Sequence, residues 1–202
     1  MRRVLAACAA LVAVSAVAGC NASESPVIPG PGPSKVKVDT PDLRALKAKI
    51  GMQDCVPGPG GGALPDLTLA CLGGGTSVNL STLKGPLVLS LWQAGCTPCR
   101  KEMPALAAYA ARTPGVKVVG IDFEDAQPPA ALELAKNSDV GYPLLADPQG
   151  ALDKTSPLPH ISGLPMTVFI AADGSIAHIE PGSMTSEQEV AAAAEKYLGV
   201  AG

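Results

Sequence analysis

Residues 87–92 are apolar at every position except Ser90, a run that fits a central strand buried on both faces. The period then changes: across 97–112 the apolar positions Met103, Leu106, Ala107 and Ala110 recur at helical spacing. Residues 116–121 predict the next strand, 129–137 the next helix and 142–146 a short extra strand. Two further strands, 166–171 and 175–179, face each other across Asp173-Gly174, a hairpin turn signal. Residues 185–198 predict a closing helix, with Ser186 and Glu189 spaced as a capping box. Upstream, 67–71 and 77–80 read as short strands around Gly73-Gly74-Gly75. Before them lie an irregular Gly/Pro-rich stretch, 56–64, and a helix opening at Thr40-Pro41 with Leu43, Leu46 and Ile50 on one face. Strands separated by helices, then a terminal hairpin and helix, predict an α/β domain. Its mixed central sheet is flanked by helices, with an N-terminal β-hairpin extension and a central insert.

Composition adds two constraints. Hydrophobic residues are 47% of the 202-residue chain and aromatics 3%, so the core is aliphatic, and the length suits one domain with appendages. The net charge is −3 and no basic run or stripe offers a path for a nucleic-acid backbone, which excludes that class of partner.

The N-terminus addresses the chain. Met1-Arg2-Arg3 precedes an almost wholly apolar stretch, 4–19, that is short for a spanning helix of about 20 residues but suits a secretory leader. Val17-Ala18-Gly19-Cys20 resembles the bacterial lipoprotein signal, in which small residues precede a cysteine that is acylated and becomes the new N-terminus. The resemblance implies a signal peptide over 1–19, lipidation of Cys20, a Pro/Gly-rich tether over 20–40 and a folded domain over 41–202. It puts the domain on the extracytoplasmic face of a bacterial membrane. An ordinary cleaved signal with an incidental cysteine, or a retained membrane helix, are the alternatives. Export leaves Cys55, Cys71, Cys96 and Cys99 where disulfides persist.

Cys96-Thr97-Pro98-Cys99 sits where the central strand gives way to a helix. A thiolate is the nucleophile of disulfide exchange, and the unpaired amides of a helix N-terminus favour that anion at Cys96. Cys99 lies one turn on, on the same face, able to attack a mixed disulfide at Cys96 and release the partner. A structural zinc site needs four ligands and no second close Cys or His pair completes one, so no metal or other cofactor is expected. Covalent haem attachment wants His after Cys99, where Arg100 stands. A purely structural disulfide within the pair is the remaining plain reading.

This pattern resembles the thioredoxin superfamily, and most of all its TlpA/ResA/DsbE-like branch of exported oxidoreductases, over about residues 64–198. Residues 83–92 resemble that branch's approach to its active site and 99–104 the continuation, with Pro104 at the kink of the active-site helix. Gly163-Leu164-Pro165-Met166-Thr167 resembles the loop that carries the family's cis-proline. The resemblance implies a thioredoxin-like fold, Cys96 as nucleophile, Cys99 as resolving thiol, Glu102 in proton transfer and Pro165 beside the cysteines. Trp92, Thr97, Pro98 and Leu164 support the site. Its partners would be exported protein thiols and disulfides together with a membrane electron donor or acceptor, and the protein would be a monomer. A reductant role, with cytochrome c maturation as one setting, is favoured over an oxidant role.

Two departures matter. Ser90 stands where cytoplasmic thioredoxins carry a buried aspartate, which shifts weight onto Glu102, and Gly95 stands where a bulky aromatic usually precedes the first cysteine. Glu102 has a plain alternative as a surface residue beside Arg100 and Lys101. Cys55 and Cys71 are expected to form a structural disulfide that pins the N-terminal extension, with a second redox pair relaying electrons to Cys96 and Cys99 as the alternative. His160 either borders the site or is incidental, and His178 reads as an ordinary strand residue. Two other functions remain open. A thiol peroxidase usually carries Thr three residues ahead of the reactive cysteine, where Gln93 stands; a copper-delivering protein of this fold wants a wider-spaced cysteine pair with a histidine.

Overall fold

The structure, a computed structural model, describes residues 32–200. The leader, Cys20 and most of the tether lie outside the described residues. No helix among the described residues is long and apolar enough to cross a membrane.

Seven strands form one mixed sheet. Strands β1 (Thr68–Cys71) and β2 (Val78–Asn79) are antiparallel, and β1 also pairs antiparallel with β5 (Leu144–Asp147). The centre is β3 (Leu87–Trp92), parallel to β4 (Lys117–Phe123) and antiparallel to β6 (Met166–Ile170); β7 (Ile176–Pro181) closes the far edge. The order across the sheet is β2-β1-β5-β4-β3-β6-β7. The predicted extra strand is thus a full member, parallel to β4, and the N-terminal hairpin extends the sheet beyond it.

The helices are α1 (Pro41–Ile50), α2 (Thr97–Arg112), α3 (Pro128–Asn137) and α4 (Glu187–Leu198). Side-chain hydroxyls cap two of them: Thr40 Oγ1 accepts from Leu43 N–H, and Ser186 Oγ accepts from Glu189 N–H. Gly51 and Gly199 end α1 and α4 in the left-handed region, where a side chain is disfavoured.

Helical cover is one-sided. Val88, Trp92, Val118, Leu144 and Phe169 face a cluster that takes residues from all four helices, including Leu43, Leu106, Leu132 and Val190. The opposite face, with Leu89, Ile121 and Val168, is sealed by irregular chain and short helical turns carrying Leu64, Leu80, Leu152 and Leu158. Strand alternation makes this possible, since every second side chain in β3 and β4 belongs to one layer or the other. The tether also behaves differently from a free spacer at its inner end. Ser34 N–H donates to the Pro148 carbonyl, the Val38 carbonyl accepts from Gly73 N–H, and Val38 is buried, so the chain joins the fold ahead of Thr40.

Candidate active site

β3 delivers the chain into the turn 93–95, and Cys96 becomes the N-cap residue of α2. Its backbone is extended, and its sulfur takes the place a serine or aspartate oxygen would hold, accepting the Cys99 N–H at 3.1 Å. Cys96 and Cys99 are joined as a disulfide with Cα atoms 5.3 Å apart. The two sulfurs are unequal. Cys96 is half-buried at the surface, whereas Cys99 is fully enclosed.

The turn is braced from several directions. Ala94 N–H donates to Asp125 Oδ2 at 2.8 Å, and the Ala94 carbonyl accepts from Arg100 Nε at 2.9 Å. Gln93 Nε2 donates to the Glu124 carbonyl at 2.8 Å. Asp125 Oδ1 also accepts from Gln127 N–H, so one carboxylate ties the cysteine turn to the start of α3. Trp92 is buried beneath the turn. Its indole lies against Gly120, where an added Cβ would come within 2.8 Å of Nε1.

Glu102 follows Cys99 by one turn of α2, and its side chain is fully buried on the helix-covered face of the sheet. Ser90 and Thr167 are register partners on β3 and β6 and point the same way. Ser90 Oγ donates to Glu102 Oε2 at 3.2 Å, Met184 N–H donates to Oε1 at 3.2 Å, and Thr167 Oγ1 lies 3.5 Å from Oε1. Burial pushes the Glu102 carboxyl up to about 7, against the pull of these three donors on the carboxylate. The surface alternative for Glu102 is therefore set aside by its burial: Arg100 and Lys101 just before it are exposed, whereas Glu102 turns inward with Cys99 and Met103.

The Leu164–Pro165 peptide is cis, and Pro165 is buried, with its carbonyl accepting from Gly182 N–H. Gly85–Pro86 and Ser156–Pro157 are also cis, which sequence reading does not anticipate. Leu164 and Cys96 share a cleft of about 350 Å³ whose walls include Gly95, Gln93, Phe123 and Ile161. Thr97 and Pro98 are exposed in the first turn of α2.

Cys55 and Cys71 form the second disulfide, with both residues buried in the cluster on the opposite face from Cys99. The sheet separates the two pairs, which removes the direct route that an internal electron relay would need. His160 is exposed and bonded to Asp153 at 2.8 Å, outside the cleft. His178 does more than occupy a strand: its ring stacks on Tyr197 at 3.7 Å, 11° from parallel, fastening α4 to β7.

Sequence reading missed Asp122 and Asp125. Asp122 is buried in β4 as the register partner of Trp92, its carboxyl pushed well above the usual range by burial and by the neighbouring Asp125. A carboxylate inside the otherwise uncharged run 118–123 was the available signal. Lys47 was missed too, although it shares the buried face of α1 with Leu43.

The AhpC/TSA family model matches residues 61–179, more than half of the chain. The thioredoxin-like protein YneN of Bacillus subtilis is 30% identical over 149 residues, 70% of this chain and 79% of that protein. A thiol:disulfide interchange protein DsbE homolog of Paracoccus denitrificans is 32% identical over 127 residues, 61% of this chain and 66% of its own length, just under two thirds. Among solved structures, a secreted Mycobacterium tuberculosis disulfide oxidoreductase homologous to E. coli DsbE superposes with a TM-score of 0.57 at 25% identity. That match covers 65% of this chain and 96% of the other. With motif order, fold and sequence similarity in agreement, the chain belongs to the AhpC/TSA family and is similar there to thiol–disulfide oxidoreductases of the DsbE and ResA type.

Proposed function

We propose that this protein exchanges disulfides with exported proteins through Cys96 and Cys99, as a membrane-anchored reductant on the extracytoplasmic side. At the coarser level it is a thiol–disulfide oxidoreductase of DsbE and ResA type. The observation that carries the reading is the inequality of the two sulfurs: Cys96 half-buried at a helix N-cap, Cys99 enclosed one turn below.

In the reduced protein, the α2 amides and the helix dipole hold Cys96 as thiolate. It attacks a substrate disulfide; the substrate's leaving sulfur departs as thiolate and takes a proton. A mixed disulfide at Cys96 remains. Cys99 must then lose its proton to attack Cys96 Sγ. The Glu102 carboxyl, poised near neutrality, is the group on the same helix face able to accept it. Attack by Cys99 closes Cys96–Cys99 and frees the second substrate thiol, so two electrons pass to the substrate. A membrane dithiol donor reverses the sequence to restore the protein.

Gly163 and Leu164, just ahead of the cis Pro165, line the cleft that Cys96 borders and would seat an extended substrate segment there. Lipidation of Cys20 would hold the domain at the membrane through the tether. The peroxidase reading is less well supported, because the Gln93 amide is committed to the Glu124 carbonyl and Cys99 is placed to resolve within the same chain. The decisive experiment combines insulin reduction with a redox equilibrium against glutathione, with Cys96 and Cys99 mapped by mass spectrometry. A reductant turns insulin over and equilibrates at a low potential. An inert Cys96 overturns the exchange function, and a strongly oxidising potential overturns its direction. Mass analysis of the mature N-terminus tests the lipid on Cys20, which an unacylated terminus would refute.

A further inference from the structure

Lys47 is 6% exposed, an unusual place for an ammonium group. Its Nζ donates to Gly74 O at 2.8 Å, to Asp54 Oδ1 at 3.0 Å and to Cys71 Sγ at 3.2 Å, which accounts for all three of its N–H bonds. The Gly74 carbonyl and the carboxylate are strong acceptors. A disulfide sulfur is a weak one, yet a buried donor is aimed at it. The partner sulfur has the opposite surroundings: Cys55 Sγ lies 3.2 Å from the Leu144 carbonyl oxygen, which accepts from a thiol and repels a thiolate. One sulfur of this pair is therefore framed to hold a negative charge and the other to hold a proton.

We propose that Cys55–Cys71 is a second thiol–disulfide exchange site, in which Lys47 receives Cys71 as the leaving thiolate and the Leu144 carbonyl holds Cys55 as the thiol. Cys55 is 3% exposed and adjoins only a cavity of about 10 Å³ beside the exposed Val56, so a reducing dithiol attacks Cys55 Sγ when the chain opens locally there. The S–S bond breaks, Cys71 departs as thiolate against Lys47, and a mixed disulfide forms at Cys55. The second thiolate of the reductant displaces Cys55, which takes up a proton. The reductant leaves as a disulfide, having given two electrons to the pair, one proton to Cys55 and one to solvent. Lys47 acts as a positioning residue for charge. It interacts more strongly with a thiolate than with a bonded sulfur, and stabilising the reduced form makes a disulfide more readily reduced. Asp54, 81% exposed, competes for the same ammonium from the solvent side. Because Lys47 also joins α1 to the β1–β2 turn, the redox state of this pair bears on how the N-terminal extension is held. This site lies beyond the exchange reaction assigned to Cys96.

The test is a titration of the full chain in graded dithiothreitol buffers, with acid quenching, alkylation and mass mapping of each pair. Lys47→Met is expected to move the Cys55–Cys71 midpoint about tenfold toward stronger reductant, about 30 mV for a two-electron couple, while the Cys96–Cys99 midpoint stays. Asp54→Asn is expected to move it the other way. An unmoved Cys55–Cys71 midpoint in Lys47→Met overturns the proposal. A readout that keeps Lys47 in place, and needs no reagent to reach the buried sulfur, is the pH dependence of the Cys71 thiolate ultraviolet absorbance in Cys55→Ala with Cys96 and Cys99 replaced by Ser. A midpoint below that of an ordinary cysteine thiol is expected, and an ordinary or raised one overturns the proposal even if Lys47→Met fails to fold.

Discussion

The two disulfides of this protein use the same bond in opposite settings. Cys96–Cys99 closes a single helical turn, with one sulfur at the surface and a buried carboxyl one turn below the other. Cys55–Cys71 spans 16 residues and is enclosed on the other side of the sheet, where it fastens the N-terminal extension to β1. The first constrains almost nothing that α2 does not already fix. The second removes substantial freedom from the unfolded chain. The lesson is that exposure and a neighbouring proton acceptor, more than the presence of a cystine, separate a pair suited to repeated turnover from one that fastens the fold and exchanges only on local opening.

The largest expected effect falls on the first pair. Cys96→Ser should bring insulin reduction to the uncatalysed background with little change in Tm, and retained turnover would break the contrast. Replacing both Cys55 and Cys71 by Ala should do the reverse. Stability should fall by about 3 kcal/mol, on the order of 10 °C in Tm, with insulin turnover largely kept. Calorimetry beside the turnover assay reads both.

Glu102→Gln sharpens the comparison, since only the Cys96–Cys99 pair has such a neighbour. Exchange should slow by about a hundredfold, and the step in the pH–rate profile near 7 should disappear. Stability should respond as well. The folded-state value of about 7 exceeds the ordinary 4.5, so the folded protein binds the extra proton between those limits. The associated stabilisation is complete below the lower value and is lost as pH rises through the upper one, roughly 3 kcal/mol in all. The Gln variant should therefore gain on the native protein in Tm at pH 8 relative to pH 5, and parallel melting curves at both pH values would contradict the burial argument. The smallest effect belongs to Ser90→Ala. Loss of one donor to the carboxylate should raise the kinetic midpoint by about one unit or less, read from the pH–rate profile.

Much of the frame was legible because local signals agreed with tertiary ones. The apolar run of β3, the change of period into α2 and the Ser186 cap of α4 fall where the pattern puts them. The positions of Cys96 and Pro165 were readable from motif order alone. Their surroundings were not. That all four helices share one face of the sheet depends on crossover direction and on loops such as 152–161 supplying the other cover, and no local pattern encodes that. The inward turn of Glu102 was in principle available, since Cys99, Glu102, Met103 and Leu106 share a helix face, but its charged neighbours masked it. Lys47 was hidden for a related reason, because a lysine on a buried stripe reads as a break in the stripe until its three acceptors are seen.

The clamp on Ala94 has a consequence for recognition. Its N–H and carbonyl are gripped from opposite sides by Asp125 and Arg100, neither of which touches a sulfur. Neither bond depends on the Cys96–Cys99 link, so both remain available when it is broken or made. A partner that must tell a loaded protein from a spent one would then read the sulfur atoms and the rim immediately around them rather than a reshaped loop.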